Sequence, residues 1–354
     1  MFNSLTKNGG IMRVTSQQQK KQNAIKRQKA YENYVKANIM YQHNLQVKKS
    51  QIIKEERRKP LNNNNEKEIV KKKEVIQNKV EYKKNLDTKV SIVMGYYNRK
   101  TQTLNTLKDF EKYSDKYNFE VIIVDDASNK ENELDNIIKN YNIDIKLLKI
   151  TTEEKGSRIN SSVVYNKGFR HATGDIIIIQ NPECYHVGDI LGYVLTHLEE
   201  NKYFAFSCFS ANTEEFTKEM INSGNIFKYI NDKNFLEKNG KACYFDNLNW
   251  FNHPSIRPKG YHFCSAIHRK KLLEIGGFDE RFKDGHCFDD DELLLSIRYI
   301  LKLNVFNIPP ENGFVIHQYH SRTQYNIKNL TELYNKNKNL FLQKAAKIKL
   351  LTNS

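Results

Sequence analysis

The sequence predicts an α/β domain over residues 89–325, built on a doubly wound, mostly parallel sheet with flanking helices. A basic N-terminal arm, helical or disordered, occupies residues 1–88, and a helical tail occupies residues 326–354. Two observations carry this. Short apolar runs alternate with segments of helical periodicity from Val90 to Leu198, and strands joined by crossover helices form parallel sheets with right-handed connections. The charge changes at the same boundary: residues 1–89 hold 22 Lys+Arg against 8 Asp+Glu, while the rest hold 35 against 33.

The elements follow in order. Val90–Met94 is an apolar run of strand length ending in Gly95-Tyr96-Tyr97-Asn98, so it reads as a buried strand and a loop. Leu104, Leu107 and Phe110 give Thr101–Tyr117 a helical stripe. Phe119–Val124 is a second buried strand ending at Asp125-Asp126. Leu134, Ile137, Ile138 and Tyr141 mark a helix, Lys146–Ile150 a third strand, Ser157–His171 a helix and Ile176–Ile179 a fourth strand. Ile190, Leu191, Val194, Leu195 and Leu198 stripe the next helix. In such sheets ligands lie beyond the carboxyl ends of the strands. Those ends carry Tyr97-Asn98-Arg99, Asp125-Asp126 and Asn181-Pro182-Glu183.

Several functions are disfavoured. The first strand-to-helix turn holds neither G-x-G-x-x-G nor G-x-x-x-x-G-K-[ST], which argues against a dinucleotide-binding oxidoreductase and a P-loop enzyme. The net charge of +16 belongs to the arm, and the near-neutral remainder argues against specific nucleic-acid binding. Five cysteines without a C-x-x-C pair fit reduced thiols, and no apolar run reaches the roughly 20 residues that span a bilayer. Met1–Val14 lacks the apolar core of a signal peptide. A cytoplasmic protein is expected, with an arm that serves as a tether or lies on an anionic membrane surface.

The strand-end acids are the first candidates. A carboxylate at Asp125 or Asp126 can accept from base or ribose donors, or cap the following turn. The sequence here resembles family-2 glycosyltransferases of the GT-A fold. The likeness rests on Val90–Val93 with Tyr97-Asn98-Arg99, Val121–Ser128, Arg158-Ile159-Asn160 with Asn166-Lys167-Gly168, and Ala172–Ile177, in that order. It implies that Tyr97, Arg99, Asp126, Arg158 and Asn181 hold the nucleotide, with Asp126 on uracil or ribose. Where the family places Asp-x-Asp, this chain has Asn181-Pro182-Glu183. Glu183 would supply a metal-binding carboxylate there, whereas a Pro turn with a solvated Glu is the other reading.

The second half resembles the carboxyl-terminal region of β-1,4-galactosyltransferases, through Tyr261–Ile267, Ile275–Phe282 and the acidic run Asp289-Asp290-Asp291-Glu292-Leu293. The resemblance implies that Asp290 is the catalytic base, flanked by Asp289 and Asp291; the run also suits a helix N-terminus. It further implies that His320 is a metal ligand, with His317 a second. The function implied is an inverting, Mn²⁺- or Mg²⁺-dependent transfer from a UDP-sugar to a glycan, protein or lipid acceptor. A catalytically inactive sugar-nucleotide or glycan-binding module is the alternative. Trp250 would stack on a sugar or sit in the core.

Overall fold

The computed structural model describes residues 87–222, 249–321 and 329–352, which fall within one compact unit, Tyr82–Ser354. The arm at residues 1–86 lies outside the described residues. Among the described residues no helix is long and apolar enough to cross a membrane.

The strands are β1 (Val90–Tyr96), β2 (Phe119–Asp126), β3 (Asp144–Ile150), β4 (Ile176–Gln180), β5 (Cys184–Val187), β6 (Lys202–Ser210), β7 (Trp250–Asn252), β8 (Cys264–His268), β9 (Asn304–Ile308) and β10 (Phe314–His317). They form one sheet in the order β3-β2-β1-β4-β8-β6-β10-β5, with β7 and β9 also on β6. The predicted half, β3-β2-β1-β4, is parallel throughout. Beyond β4 the sheet turns mixed: β8 is antiparallel to β4 and β6, while β9 and β10 run parallel to β6.

Strand alternation explains the continuous apolar runs. Ile92 and Met94, Val121 and Ile123, Ile176 and Ile178 enter one core layer, with Leu107 and Phe110 of helix α1 (Lys100–Phe110). Their neighbours Val93, Ile122, Val124, Ile177 and Ile179 enter the opposite layer. Both faces are buried, as in a sheet covered on both sides. A single capped turn, α2 (Thr152–Lys155), precedes α3 (Ser162–His171), which lies close over β1: a Cβ on Gly168 would sit 2.4 Å from Val93. The other helices are α4 (Ile190–His197), α5 (Glu214–Asn222), α6 (Arg269–Glu274), α7 (Asp289–Leu295) and α8 (Leu330–Thr352).

Three local readings change. The stripe from Leu134 to Tyr141 forms only a 3-10 turn at Ile138–Asn140, preceded by another at Lys130–Asn132. Glu133 is extended, and one turn, closed by the Ile137 and Ile138 amides on the Leu134 carbonyl, runs into the 3-10 turn and buries Leu134 and Ile138 without extending to a full helix. Residues 157–161 are not helical, because Arg158 turns into the cleft described below and the Asn160 side chain accepts from the Ser162 amide. Trp250 is 1% exposed and packs on Phe209 and Phe314, so it is a core residue.

The Ala172–Asp175 turn has a structural role. Glu120 is buried at the start of β2 and accepts from Ser91 Oγ (2.6 Å), the Thr173 amide (2.7 Å) and hydroxyl (2.8 Å), and Lys89 Nζ (3.1 Å). A Cβ on Gly174 would lie 2.7 Å from the Lys89 carbonyl, so only glycine fits beside this network. Burial alone would raise the Glu120 carboxyl, but the four donated bonds outweigh it and hold it at about 2. A carboxyl depressed below its unfolded value stabilises the fold above the unfolded pKa and loses that contribution as pH falls. For Glu120 the contribution is about 3 kcal/mol near neutrality, lost progressively below about pH 4.5. Melting curves from pH 7 to 3 should therefore fall less steeply for Glu120→Gln than for wild type; equal slopes would exclude this role.

Candidate active site

The strand order reverses between β1 and β4: β2 and β3 extend to one side of β1, and β4 lies on the other. At that switch point the carboxyl ends open a cleft of about 510 Å³. Tyr97, Arg99, Asp126, Arg158, Asn181 and Glu183 all line it, although they come from loops up to 86 positions apart.

The two acids after β2 divide their tasks. Asp125 Oδ1 accepts from the Ser128 amide at 2.9 Å and so shapes the turn. Asp126 faces the cleft, where Arg158 Nη2 binds Oδ1 and Lys155 Nζ lies 3.5 Å from Oδ2. The turn is locked to the β1 loop, since the Asn98 amide donates to Ser128 Oγ (3.0 Å) and the Asn129 amide to Asn98 Oδ1 (2.9 Å). Asn98 and Ala127 pay for this crossing with left-handed φ of 50° and 59°. Lys155 Nζ also lies over the Tyr97 ring, 3.0 Å from its centroid. Sequence reasoning missed Lys155; its place in a capped turn three residues before Arg158 was the available signal.

Asn181-Pro182-Glu183 does form a turn, closed by the Cys184 amide on the Asn181 carbonyl at 3.0 Å. Glu183 is nevertheless buried at 9% exposure rather than solvated. The turn leads into β5, which pairs antiparallel with β10 and sets His317 opposite Cys184. Glu183 Oε1 thus lies 3.2 Å from His317 Nε2 and 3.8 Å from His320 Nε2. One ligand atom from each of the three lies within 4.8 Å of the others. Burial alone would raise the Glu183 carboxyl, but the His317 hydrogen bond and the charges of His317, His320 and Arg99 bring it down to about 2. Burial lowers His320 to about 4. An ionised carboxylate and a neutral imidazole are the ligand states a cation needs. The N,N,O donor set suits Mn²⁺ or another transition ion better than Mg²⁺, which prefers oxygens.

Gln318, between the two histidines in sequence, secures this cluster. It is fully buried; its amide donates to the Glu183 carbonyl (3.0 Å), its Nε2 to Gln102 O (3.0 Å), and Oε1 accepts from Asn105 Nδ2 (2.8 Å). No spacing rule singles out such a residue.

The acidic run opens α7 and its three aspartates differ in surroundings. Asp289 is buried, receives a bond from Asn160, and is pushed up to about 6 by burial and by the Asp290 charge. Asp291 accepts from the Tyr261 hydroxyl at 2.8 Å. Asp290 keeps a side chain 34% exposed while its Oδ1 contacts His262 Nδ1. Burial would lower His262, but the Asp290 charge and hydrogen bond raise it. The His262 ring lies edge-on to Tyr165 (5.1 Å), whose hydroxyl is 3.0 Å from Asn181 Oδ1. That chain links the acidic run to the turn carrying Glu183, and His286, from the loop before α7, lines the cleft itself. His262 and Tyr165 were missed as site residues.

A family model described as glycosyl transferase family 2 matches residues 91–257. No curated protein matches the chain. Similar solved structures include mannosyltransferase PcManGT from Pyrobaculum calidifontis in complex with GDP-Man and Mn²⁺, at 16% identity over 66% of this chain and 58% of that one, with a TM-score of 0.40. S. aureus TarS 1-349 is similar at 13% identity over 65% of this chain and 60% of that one, TM-score 0.43. The same protein in complex with UDP-GlcNAc is similar at 12% identity over 69% and 64%, TM-score 0.43. The chain thus spans between 58% and 64% of the length of these structures.

Proposed function

We propose that this chain, whose residues 91–257 match glycosyl transferase family 2 on a GT-A-type α/β sheet, transfers a hexosyl or N-acetylhexosaminyl group from a nucleotide-diphosphate sugar with inversion. The observation that carries the reading is the convergence of Tyr97, Arg99, Asp126, Arg158, Asn181 and Glu183 on one cleft at the switch point, with His317 and His320 clustered on Glu183.

Tyr97, Asp126 and Arg158 bind the nucleotide, which is a UDP by the resemblance of these positions. Asp126 takes base or ribose donors, Tyr97 lines the pocket, and Lys155 and Arg99 bring positive charge. Glu183, His317 and His320 would hold Mn²⁺, which when bound neutralises negative charge developing on the diphosphate. Asp290 accepts a proton from the acceptor nucleophile as that attacks the anomeric carbon, and His262 orients its carboxylate. The family match ends at residue 257, so the roles of Asp290 and His320 rest on geometry and on the likeness to β-1,4-galactosyltransferases. The acceptor is a glycan, protein or lipid.

The test is a panel of UDP-, GDP- and dTDP-sugars, read by thermal stabilisation and by nucleotide release, with Mn²⁺ and with chelator. UDP-sugars are expected to stabilise the protein only with Mn²⁺ and to be turned over. Stabilisation without turnover under any acceptor would mark a binding module, and no stabilisation by any donor would overturn the reading.

A further inference from the structure

We infer that Asn337, on the C-terminal helix α8, is a positioning residue that holds the catalytic loop in the conformation presenting Asp290. The inference rests on the proposed role of Asp290.

The loop between Phe282 and Asp289 has an uncommon backbone. Cys287 and Phe288 are consecutive non-glycine residues with left-handed φ of 61° and 67°, and Phe288 gives α7 no side-chain cap. Such a backbone is strained and persists only where its surroundings enforce it. The enforcing contacts come from one face of α8. Tyr334, Asn337, Phe341, Lys344 and Ile348 recur at spacings of three and four, so they form one stripe. Four of them touch the 279–292 segment. Asn337 is fully buried, and its Nδ2 donates to the carbonyls of Phe282 (3.0 Å) and Cys287 (2.8 Å), the two ends of the loop. The Phe288 ring stacks on Phe341 (5.7 Å, 29°) and meets Tyr334 (5.1 Å). Lys344 binds Glu292 of α7 and lies 3.2 Å from Asp279.

The fit leaves no slack. A Cβ on Gly285, whose φ is not left-handed, would fall 2.0 Å from Asn337 Oδ1. Glycine is required there by Asn337 and not by the backbone. The His286 amide also donates to the Leu333 carbonyl of α8 (3.1 Å), while the His286 side chain lines the donor cleft. Asn337 itself lines neither that cleft nor the metal cluster. It therefore acts on chemistry only through the loop, whereas Tyr97, Asp126, Lys155 and Arg158 stand on other segments of the chain.

The experiment compares wild type, Asn337→Ala, Asn337→Asp, Gly285→Ala and the Gly285→Ala/Asn337→Ala double variant. Nucleotide affinity, kcat and KM for the donor are measured together with hydrogen exchange of amides 282–291. Asn337→Ala is expected to lower kcat at least tenfold with nucleotide affinity within about twofold, and to raise loop exchange. Asn337→Asp, which keeps the shape but loses both donors, should behave alike. Gly285→Ala should be harmful alone but add little in the double variant. A kcat within twofold of wild type in Asn337→Ala, or equal losses of kcat and nucleotide affinity, would overturn the inference. If wild-type protein transfers no sugar, the functional reading fails; unchanged exchange in Asn337→Ala then overturns the strap as well, and raised exchange supports it.

Discussion

Asp290→Asn is expected to lower sugar transfer by about 10²–10⁴-fold while donor binding stays within a few-fold, since a positioned general base contributes about that much. The substitution keeps the side-chain shape and the His262 contact but cannot take a proton. The choice among three adjacent aspartates rests on surroundings. Asp289 is buried against Asn160 and Asp291 is engaged by Tyr261, whereas Asp290 combines solvent access with an imidazole that fixes its orientation. Asp289→Asn and Asp291→Asn serve as the comparison. If Asp290→Asn turns over normally and one of its neighbours fails, the base is that neighbour.

The second large effect belongs to Glu183. Glu183→Ala removes the one carboxylate from a cluster otherwise made of two imidazoles. Lewis-acid stabilisation of a leaving diphosphate is worth several kcal/mol, and at about 1.4 kcal/mol per factor of ten that predicts a loss of transfer of about 10²–10⁴-fold. Unlike Asp290→Asn, this variant should also lose Mn²⁺-dependent nucleotide binding, and excess Mn²⁺ should restore part of it. Calorimetry with UDP, Mn²⁺ and chelator separates the two behaviours. Equal nucleotide affinity for Glu183→Ala and wild type, unaffected by chelator, would remove the metal assignment.

Much of the parallel half was legible because its physics is local. Strands β1 to β4 are apolar on both faces, and such runs stand out against helical spacing. The strand-end candidates followed from topology, since any parallel sheet presents ligands at that edge. What stayed hidden depends on long-range pairing. Strands β5 and β7 to β10 are short, and β6 is bonded to four other strands, a fact no window of sequence contains. Glu183, His317 and His320 were each legible as candidate ligands, but their meeting in one cluster depends on the pairing of β5 with β10. The helix expected over residues 134–141 stopped at a short run of turns, because one or two such turns already give the apolar side chains helical spacing. Gln318, His262 and Asn337 act through hydrogen bonds to partners 52 to 216 positions away in several cases, and periodicity carries no trace of them.

The strap has a consequence for the order in which the chain is made. Asn337 follows Asp290 by 47 positions, and the nucleotide-binding strands precede both. At about 5–20 residues per second, roughly 2–10 s of synthesis separates the acidic run from the side chain that seats it. In that interval the loop before α7 is without the side-chain donor that ties its two ends. The residue proposed to seat the loop is thus made after the loop itself, and after His317 and His320 of the metal-competent cluster, so the proposed site is complete only once α8 has been made.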